Sequence, residues 1–231
     1  MKAVLIVGGE GKRLRPLTDS VPKALVEINN RALIDFVIDP FKRAGVDSYV
    51  LLCGYKNEDL IRHFSFGYDW ATIDFSMEDK PLGTGGSIKA AENMIGKEDF
   101  YLANGDIITN IDVSKLSNPK GSVVDLSVIE MKSPFGVVNA KPDGSVMGFS
   151  EKPVLDNVWT SMGFYRVTHE LFDYLPDVGS IETVAFANLS RQSKITCKRF
   201  SRKDGIYWFP IDTIKAKEEA EAELISHNTD I

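Results

Sequence analysis

The amino-acid sequence predicts an α/β protein with a mainly parallel but mixed sheet flanked by helices. Short, continuous apolar runs recur in the first half, and such runs are typical of strands buried on both faces. Segments with the apolar spacing of helices lie between them, which favours parallel strands joined by helical crossovers. Strand patterns separated by turns fill the second half, so the sheet is predicted to be mixed.

The first half is predicted to alternate strands with helices. Strand-like apolar runs cover residues 3–7, 49–53, 72–77 and 100–103. Helical spacing covers residues 32–44, 58–64 and 87–95, the last opened by the glycines of LGTGG. Pro40 predicts a kink or an early end of the first helix, and Gly45 is expected to stop it.

The second half is predicted to be rich in strands that turn signals such as Pro142-Asp143-Gly144 divide. Strand patterns cover residues 123–130, 136–140, 145–150, 161–167, 195–200 and 206–208. A helix is expected near Leu171, and the charged segment AKEEAEAEL predicts another over residues 216–224. Neither a Gly/Ser-rich linker nor an internal repeat divides the sequence, so residues 1–231 are predicted to form a single domain.

Composition excludes several classes of function. The formal net charge of −6 disfavours binding to nucleic-acid phosphates or to an acidic membrane surface. No apolar run approaches the roughly 20 residues of a membrane span, and the N-terminal residues do not resemble a cleavable signal. Cys53 and Cys197 form no CxxC motif and predict reduced thiols in a cytoplasmic protein. Because His63, His169 and His227 are scattered, a metal would be held by carboxylates, which favours Mg²⁺.

A glycine-rich segment that carries basic residues follows the first predicted strand: VGGEGKRLRPLTDSVPKAL, residues 7–25. Glycines allow close backbone approach, and basic side chains on an acidic chain indicate an anionic ligand. Neither GxxxxGK[ST] nor GxGxxG is complete here. A turn after the first strand of a parallel sheet is nevertheless well placed to cradle a polyphosphate. Taken alone, the segment also fits a surface turn with solvated charges.

VGGEGKRLRPLT followed by PKALVEI resembles the signature loop of the sugar-1-phosphate nucleotidyltransferases, which make NDP-sugars. Further segments match in order to about Lys215. EDKPLGTGG resembles the family's base-recognition segment, NGD its magnesium element and EKP its sugar-binding element, while FGVV and MGFY resemble its glycine-bearing strands. Each segment alone would fit an ordinary loop, turn, ion pair or strand. The resemblance implies a Rossmann-like nucleotide-diphospho-sugar transferase fold without a C-terminal left-handed β-helix.

The resemblance also implies roles for single residues. Nucleotide binding is assigned to Gly8, Gly9, Gly11, Lys12, Pro81, Gly83 and Thr84. Catalytic roles go to Arg13 on the leaving phosphates, Lys23 on the transferred phosphate and Asp106 on the metal. Sugar-phosphate binding is assigned to Gly136, Glu151, Lys152 and Gly163. Asp212, in WFPIDT, is implied as the second ligand of Mg²⁺, although the tryptophan–aspartate spacing is longer than in the family. A helix N-cap is the alternative for Asp212.

The implied reaction joins an NTP and a sugar 1-phosphate and releases pyrophosphate. The residues of these motifs are most similar to those of the mannose-1-phosphate guanylyltransferases, and this resemblance predicts GTP and a mannose-like sugar as substrates. The alternatives are a glucose-1-phosphate thymidylyl-, uridylyl- or cytidylyltransferase, a heptose-1-phosphate guanylyltransferase and a non-catalytic NDP-sugar sensor. An unrelated nucleotide-binding module is the last alternative, because it would require the ordered series of motifs to be a coincidence. Lys12 stands where many members have threonine. The sequence leaves open whether the chain forms homo-oligomers.

Overall fold

The structure is a computed structural model that describes residues 1–54 and 56–226. His227, one of the scattered histidines, lies outside the described residues. The first strands are β1 (Ala3–Ile6), β2 (Glu27–Ile28), β3 (Arg31–Ala32), β4 (Ser48–Cys53), β5 (Thr72–Met77), β6 (Phe100–Asn104) and β7 (Ile107–Thr109). The later strands are β8 (Val124–Lys132), β9 (Val137–Ala140), β10 (Val146–Ser150), β11 (Val154–Val167), β12 (Ile195–Phe200) and β13 (Trp208–Pro210). The α-helices are α1 (Leu33–Arg43), α2 (Asn57–Phe64), α3 (Gly83–Ala90), α4 (Glu92–Ile95), α5 (Ala187–Arg191) and α6 (Ile214–Ser226).

Seven strands form the main sheet in the order β12-β8-β11-β6-β1-β4-β5. Strands β6, β1, β4 and β5 pair in parallel, as predicted for the first half. Strand β11 runs antiparallel to both of its neighbours, β6 and β8, while β12 is parallel to β8. The prediction of a mainly parallel, mixed sheet flanked by helices is therefore confirmed.

The continuous apolar run of β1 is explained by burial on both faces of the sheet. Ala3 and Leu5 pack into one apolar core, whose members include Phe41 and Phe164. Val4 packs into a second core on the other face with Leu102. A strand with apolar partners on both sides cannot alternate with polar residues, so the run is unbroken until the glycines begin.

Helix α1 continues through Pro40 and ends at Arg43. Gly45 then adopts a left-handed conformation with φ +77°, and the Val46 amide donates to the Phe41 carbonyl at 3.0 Å. This is the hydrogen bond of a Schellman motif, which favours glycine because a side chain strains positive φ. The predicted stop at Gly45 is confirmed, and Pro40 does not end the helix early.

Several predicted boundaries were wrong. The helix predicted over residues 87–95 is two helices, α3 and α4, which meet at Ala91, and α3 starts at Gly83. Strand β11 starts at Val154 rather than at residue 161, because its first residues pair with β8. The helix expected near Leu171 is a 3₁₀ helix, His169–Tyr174. The prediction of a single domain stays a prediction.

One short strand pairing, between β7 and β13, was not predicted from the sequence. This pairing determines the position of the site. Strand β13 pairs antiparallel with β7, with Trp208 opposite Thr109 and Pro210 opposite Ile107. The Ile211 amide then donates to the Asp106 carbonyl at 2.8 Å. These contacts bring the end of β13 beside the end of β6.

Candidate active site

A cleft of about 790 Å³ opens where the parallel strands β1, β4, β5 and β6 reach their carboxyl ends. Its walls include the glycine-rich loop after β1, Gly54 after β4 and the segment that leads from β5 into α3. Asn104, Asp106 and Asp212 form another part of the lining. Ligands of open α/β sheets bind at this edge, where the chain leaves the strands.

The glycine-rich loop is held by contacts within the protein. A side chain at Gly8 would press on the backbone of Gly54, with the Gly54 nitrogen 3.1 Å from the added Cβ. Gly11 has φ +62°, and a Cβ there would lie 2.8 Å from Cγ2 of Thr18 and 3.1 Å from Cβ of Lys23. Gly9 has open space around it. Of the three predicted glycines, two are therefore required by the packing of the loop, and Gly9 leaves room for a ligand.

Lys23 forms the centre of a charged cluster at the end of this loop. Its Nζ donates to Oδ2 of Asp106 at 2.6 Å and to Oδ1 of Asp212 at 2.7 Å. The Lys23 side chain is only 12% exposed, so these contacts are shielded from water. Arg13 reaches the same Asp212 oxygen at 3.0 Å, with 70% of its own side chain exposed. Four residues predicted to share one site therefore meet there.

Asp212 does not cap helix α6. The hydroxyl of Thr213, directly before the helix, accepts from the Ala216 amide at 3.1 Å, which is the hydrogen bond of an N-cap. The Asp212 carboxyl is bound by Lys23 and Arg13 instead. Burial raises the pKa of the Asp212 carboxyl, but the hydrogen bonds and charges of Lys23 and Arg13 outweigh burial and hold that pKa below its ordinary value.

The segment between β5 and α3 is tied to a loop that the sequence did not indicate. Glu78 accepts from the Leu82 amide at 2.8 Å and from the Ser87 hydroxyl, so its carboxylate fixes the start of α3. The Thr84 hydroxyl donates to Glu182 at 3.1 Å. A Cβ on Gly83 would lie 2.7 Å from the Gly179 carbonyl oxygen. The glycines of LGTGG are thus needed for packing against residues 176–182.

The predicted sugar-binding residues lie elsewhere. Gly136, Glu151, Lys152 and Gly163 are absent from the lining of the cleft. Glu151 and Lys152 are exposed at the base of the β9–β10 hairpin. Gly163 has φ +77°, and a Cβ there would collide with Cδ1 of Ile107 and lie 3.0 Å from Nδ2 of Asn104. Its lack of a side chain therefore lets β11 pass close to Asn104, a residue of the cleft. The roles of these four residues stay predictions.

Carboxylates outnumber cationic side chains in the lining of the cleft, which favours an anionic ligand that binds together with a cation. Six carboxylates line the cleft, those of Glu10, Glu78, Asp79, Asp106, Glu182 and Asp212. Four cations face them, those of Lys12, Arg13, Lys23 and Lys80. The side chains within this cleft do not by themselves neutralise a polyphosphate. Among the residues that the structure describes, no group of three or more His, Cys, Asp or Glu side chains forms a metal cage.

Sequence reasoning missed three residues of the site. Asn104 and Glu78 belong to matched segments, so their positions beside Asp106 and before PLGTGG could have indicated them. Glu182 comes from a short π-helix, Glu182–Phe186, in a region without a motif. Its contact with Thr84, together with the backbone hydrogen bonds between Gly179 and the start of α3, brings it to the cleft, and no local pattern signals these contacts.

The chain belongs to the nucleotidyl transferase family, whose model matches residues 2–223. The chain is 31% identical over 242 residues to a probable glucose-1-phosphate cytidylyltransferase of Bacillus subtilis, with 93% of this chain and 92% of that protein covered. It is 37% identical over 167 residues to a mannose-1-phosphate guanyltransferase of Aspergillus fumigatus, with 67% of this chain but only 45% of that protein covered.

A solved structure supports the same assignment. HddC from Yersinia pseudotuberculosis, crystallised with GMP-PN, superposes with a TM-score of 0.70 at 26% identity, covering 96% of this chain and 99% of that one. The protein is therefore an enzyme of the nucleotidyltransferase class, and sugar-1-phosphate nucleotidyltransferase activity is supported. Over the described residues, no helix has the length and apolar character needed to cross a membrane.

Proposed function

We propose that this enzyme transfers a guanylyl group from GTP to a mannose-like sugar 1-phosphate. The main support for this proposal is a cluster of four charged side chains in the cleft, beside the glycine-rich loop: Arg13, Lys23, Asp106 and Asp212. Two cations and two carboxylates at one point suit a reaction between anions, in which charge must be stabilised without a protein nucleophile.

The attacking group is an oxygen of the sugar phosphate, which already carries negative charge. Its bond to the α-phosphorus forms while the bond from that phosphorus to the bridging oxygen of the β-phosphate breaks, and pyrophosphate leaves with the electron pair. Lys23 is the cation nearest the two carboxylates and neutralises the transferred phosphate. Arg13, exposed at the mouth of the cluster, faces the leaving pyrophosphate. Positioning and charge supply the rate enhancement.

Asp106 and Asp212 fit a magnesium ion. Their carboxylates converge on one cation, the Lys23 ammonium, and oxygen ligands are the ones that Mg²⁺ prefers. The excess of carboxylates in the cleft also favours a ligand that brings positive charge. Magnesium typically takes one or two carboxylates together with substrate phosphates, so two are enough. When bound, the ion would neutralise phosphate oxygens and assist the departure of pyrophosphate.

The base is inferred from acceptors in the cleft. Asp79 supplies a carboxylate, which accepts hydrogen bonds but cannot donate them, whereas both oxygens of Glu78 already accept from Leu82 and Ser87. Guanine presents two adjacent donors, N1–H and the exocyclic amino group, that one carboxylate can accept together, whereas cytosine and adenine present only an amino group and thymine and uracil only N3–H. A carboxylate in this segment therefore favours GTP over the other NTPs. The guanyltransferase relative and the HddC complex with GMP-PN support GTP.

A glucose-1-phosphate cytidylyltransferase is the second candidate, because the Bacillus subtilis relative matches along nearly the full length of both chains. The two candidates share the chemistry at Lys23 and differ only in base and sugar. A non-catalytic sensor is disfavoured, since both predicted metal carboxylates and both predicted cations are present and assembled. Both cysteines are free thiols, which suits a reducing compartment such as the cytoplasm.

The test is a pyrophosphate-release assay over five NTPs and the 1-phosphates of mannose, glucose and a manno-heptose, with Mg²⁺ present. GTP with a manno-configured sugar should give the highest kcat/KM. A higher value for CTP with glucose 1-phosphate would replace the guanylyl assignment and keep the chemistry. Absence of release with every pair, while calorimetry still detects nucleotide binding, would establish the sensor instead.

A further inference from the structure

The Asn104 side chain is a neutral polar group of the cleft that the protein leaves unpaired. Three uncharged polar side chains line the cleft, those of Thr84, Ser87 and Asn104. The Thr84 hydroxyl donates to Glu182 at 3.1 Å. The Ser87 hydroxyl donates to Glu78. Within the described residues, the Asn104 amide has no hydrogen-bond partner, so its donors and acceptor are available to a ligand.

An unpaired amide in this position suits a hydroxyl group. A primary amide has two donors and an acceptor oxygen, and a hydroxyl can both donate and accept. Asn104 is partly buried at the end of β6, where a polar group without a partner costs stability until a ligand restores its hydrogen bonds. The charged lining of the cleft serves phosphates and cations, whereas the amide matches the neutral polar part of a substrate.

The strand register places Asn104 at one end of a row that crosses the floor of the cleft. Leu52 of β4 pairs with Ile6 of β1, and Ile6 pairs with Asn104 of β6. All three residues line the cleft. Extending the β11–β6 pairing by one residue sets Gly163 opposite Asn104, and a Cβ on Gly163 would lie 3.0 Å from the Asn104 amide nitrogen. The row is therefore apolar up to Asn104, and glycine at position 163 keeps a neighbouring side chain away from the amide.

The order of the strands indicates which substrate reaches this amide. The segment that carries Asp79 follows β5, and the glycine-rich loop follows β1, whereas Asn104 ends β6 on the other side of β1. Neighbouring strands are about 4.8 Å apart, so three spacings, roughly 14 Å, separate the ends of β5 and β6. A nucleotide with its base beside Asp79 and its phosphates at the loop leaves the β6 end of the cleft to the second substrate.

The position of Asn104 along the chain indicates which hydroxyl it meets. Asn104 is two residues before Asp106, whose carboxylate accepts from Lys23 at 2.6 Å. Two residues of extended chain span about 7 Å, so Asn104 lies close to the cations that neutralise the transferred phosphate. In a hexose 1-phosphate, the hydroxyl nearest the phosphate is the one on C2, next to the carbon that carries the phosphate. Mannose and glucose differ in the orientation of this hydroxyl.

We propose that the Asn104 amide binds the C2 hydroxyl of the hexose 1-phosphate and thereby distinguishes the configuration at C2. This inference rests on the proposed reaction but not on the choice of base or hexose, because mannose and glucose both carry a hydroxyl at C2. The reaction forms a bond between a sugar-phosphate oxygen and phosphorus, and it breaks no bond at C1 or C2. Loss of the hydroxyl therefore changes how the sugar is held and not the chemistry of the attacking oxygen.

A cycle of variant and substrate tests this assignment. The 1-phosphate of 2-deoxy-D-arabino-hexose lacks the C2 hydroxyl and corresponds to both mannose and glucose, so it can be compared with whichever hexose the wild type uses best. Wild-type kcat/KM should fall roughly tenfold with the deoxy sugar, as for the loss of one hydrogen bond. Asn104→Ala should lose a similar factor with the parent sugar and then use both sugars equally. Equal use of both sugars by the wild type, or undiminished discrimination by Asn104→Ala, would overturn the proposal.

Two further variants separate binding from folding. Asn104→Leu keeps the size of the side chain and continues the apolar row, so it should fold and lose the discrimination as Asn104→Ala does. Asn93→Ala removes an exposed asparagine of α4 that does not line the cleft, and it should keep the wild-type kcat/KM for both sugars. A folded Asn104→Leu that still discriminates would contradict a role for the amide.

A 2′-deoxy NTP identifies the other hydroxyl that the amide could bind. Wild type and Asn104→Ala should lose the same factor with this nucleotide. A loss confined to the wild type would assign Asn104 to the ribose and overturn the proposal.

A failure of the proposed function is distinguishable from a failure of this inference. If no pair of substrates released pyrophosphate, the proposed function would be wrong, and the Kd of the hexose 1-phosphate, measured by calorimetry with the NTP present, would replace kcat/KM in the same cycle. Equal wild-type affinity for the hexose and the deoxyhexose 1-phosphates would then overturn the role of Asn104.

Discussion

The cleft and the hairpin arm, which is the β9–β10 hairpin with its flanks (residues 134–152), both contain residues that the sequence assigned to one active site. These residues form a shielded cluster in the cleft, whereas in the arm they are exposed. In the cleft, Lys23 is almost buried and holds two carboxylates that come from distant parts of the chain. In the arm, Glu151 and Lys152 are exposed, and neither lies in a charged cluster of this kind within the described residues. The EKP motif of the arm was as plain in sequence as the NGD motif of the cleft. A motif therefore supplies chemical groups, whereas the surrounding packing determines whether those groups are already assembled.

Replacing Asp212 should have the largest effect, because it removes a carboxylate from the assembled cluster. Asp212→Asn should lower kcat/KM by roughly 10³-fold, since a metal site that stabilises several kcal/mol of charge would be weakened. Partial rescue by high Mg²⁺ or Mn²⁺ is expected, and the melting temperature should stay within about 3 °C. Steady-state kinetics and calorimetry measure both.

Thr213→Ala is the control for this substitution, because Thr213 and not Asp212 caps helix α6. It should lower stability by about 1 kcal/mol and leave activity close to the wild-type value. If Asp212→Asn lost stability and kept activity at low Mg²⁺, the second metal ligand would have to lie elsewhere.

Arg13→Ala tests the exposed side of the same cluster. Loss of a charge that acts on the leaving pyrophosphate should reduce kcat by roughly 10²-fold, with a smaller change in the KM of the sugar phosphate. Arg15→Ala is the matched control, because Arg15 is also exposed but pairs with Asp19 at 3.3 Å and does not line the cleft. The control should change kcat by no more than about threefold, as for a solvated surface charge. An unchanged kcat in a folded Arg13→Ala enzyme would show that Arg13 is a solvated charge on a surface turn and does not act on the leaving pyrophosphate.

Lys152→Ala tests the arm directly. If Lys152 binds the sugar phosphate, its loss should raise the KM of that substrate roughly tenfold, because a hydrogen bond to a charged group contributes about 1.5–3 kcal/mol. The KM of the nucleotide should not move. Lys141→Ala, at the turn of the same hairpin, is the control. Equal KM values for the two variants would separate the arm from the sugar site and leave it a structural element.

The cysteines give the smallest and simplest contrast. Burial, with a contribution from the charge of Glu78, raises the pKa of the Cys53 thiol to about 12. A raised pKa keeps the thiol protonated at pH 8, and the thiolate is the reactive form. Cys197 is exposed on β12. Ellman's reagent should therefore label one thiol in the native enzyme, none in Cys197→Ser and two in denatured wild type. Rapid labelling of native Cys53 would show that the end of β4 opens.

The positions predicted for the loop glycines and for Asp212 are explained by tertiary contacts that the sequence did not indicate. Gly8, Gly9 and Gly11 were all assigned to the nucleotide, but packing against Gly54 and Thr18 explains two of them without a ligand. Asp212 was the least regular match, because its spacing from Trp208 is long. The β7–β13 ladder supplies the reason it still reaches the cleft, since Ile211 is bonded to Asp106 and Asp212 follows directly.

The sequence by itself determined the alternation of strands and helices, the stop of α1 at Gly45 and the family, because apolar period, turn residues and ordered motifs are local properties of the chain. Only the tertiary structure decided which charges meet. Lys23 is 83 residues from Asp106 and 189 residues from Asp212, and no local pattern encodes contacts of that range. The same holds for the hairpin arm. Its strands were predicted from strand patterns that turn signals divide, but whether anything covers a strand depends on the placement of every other element.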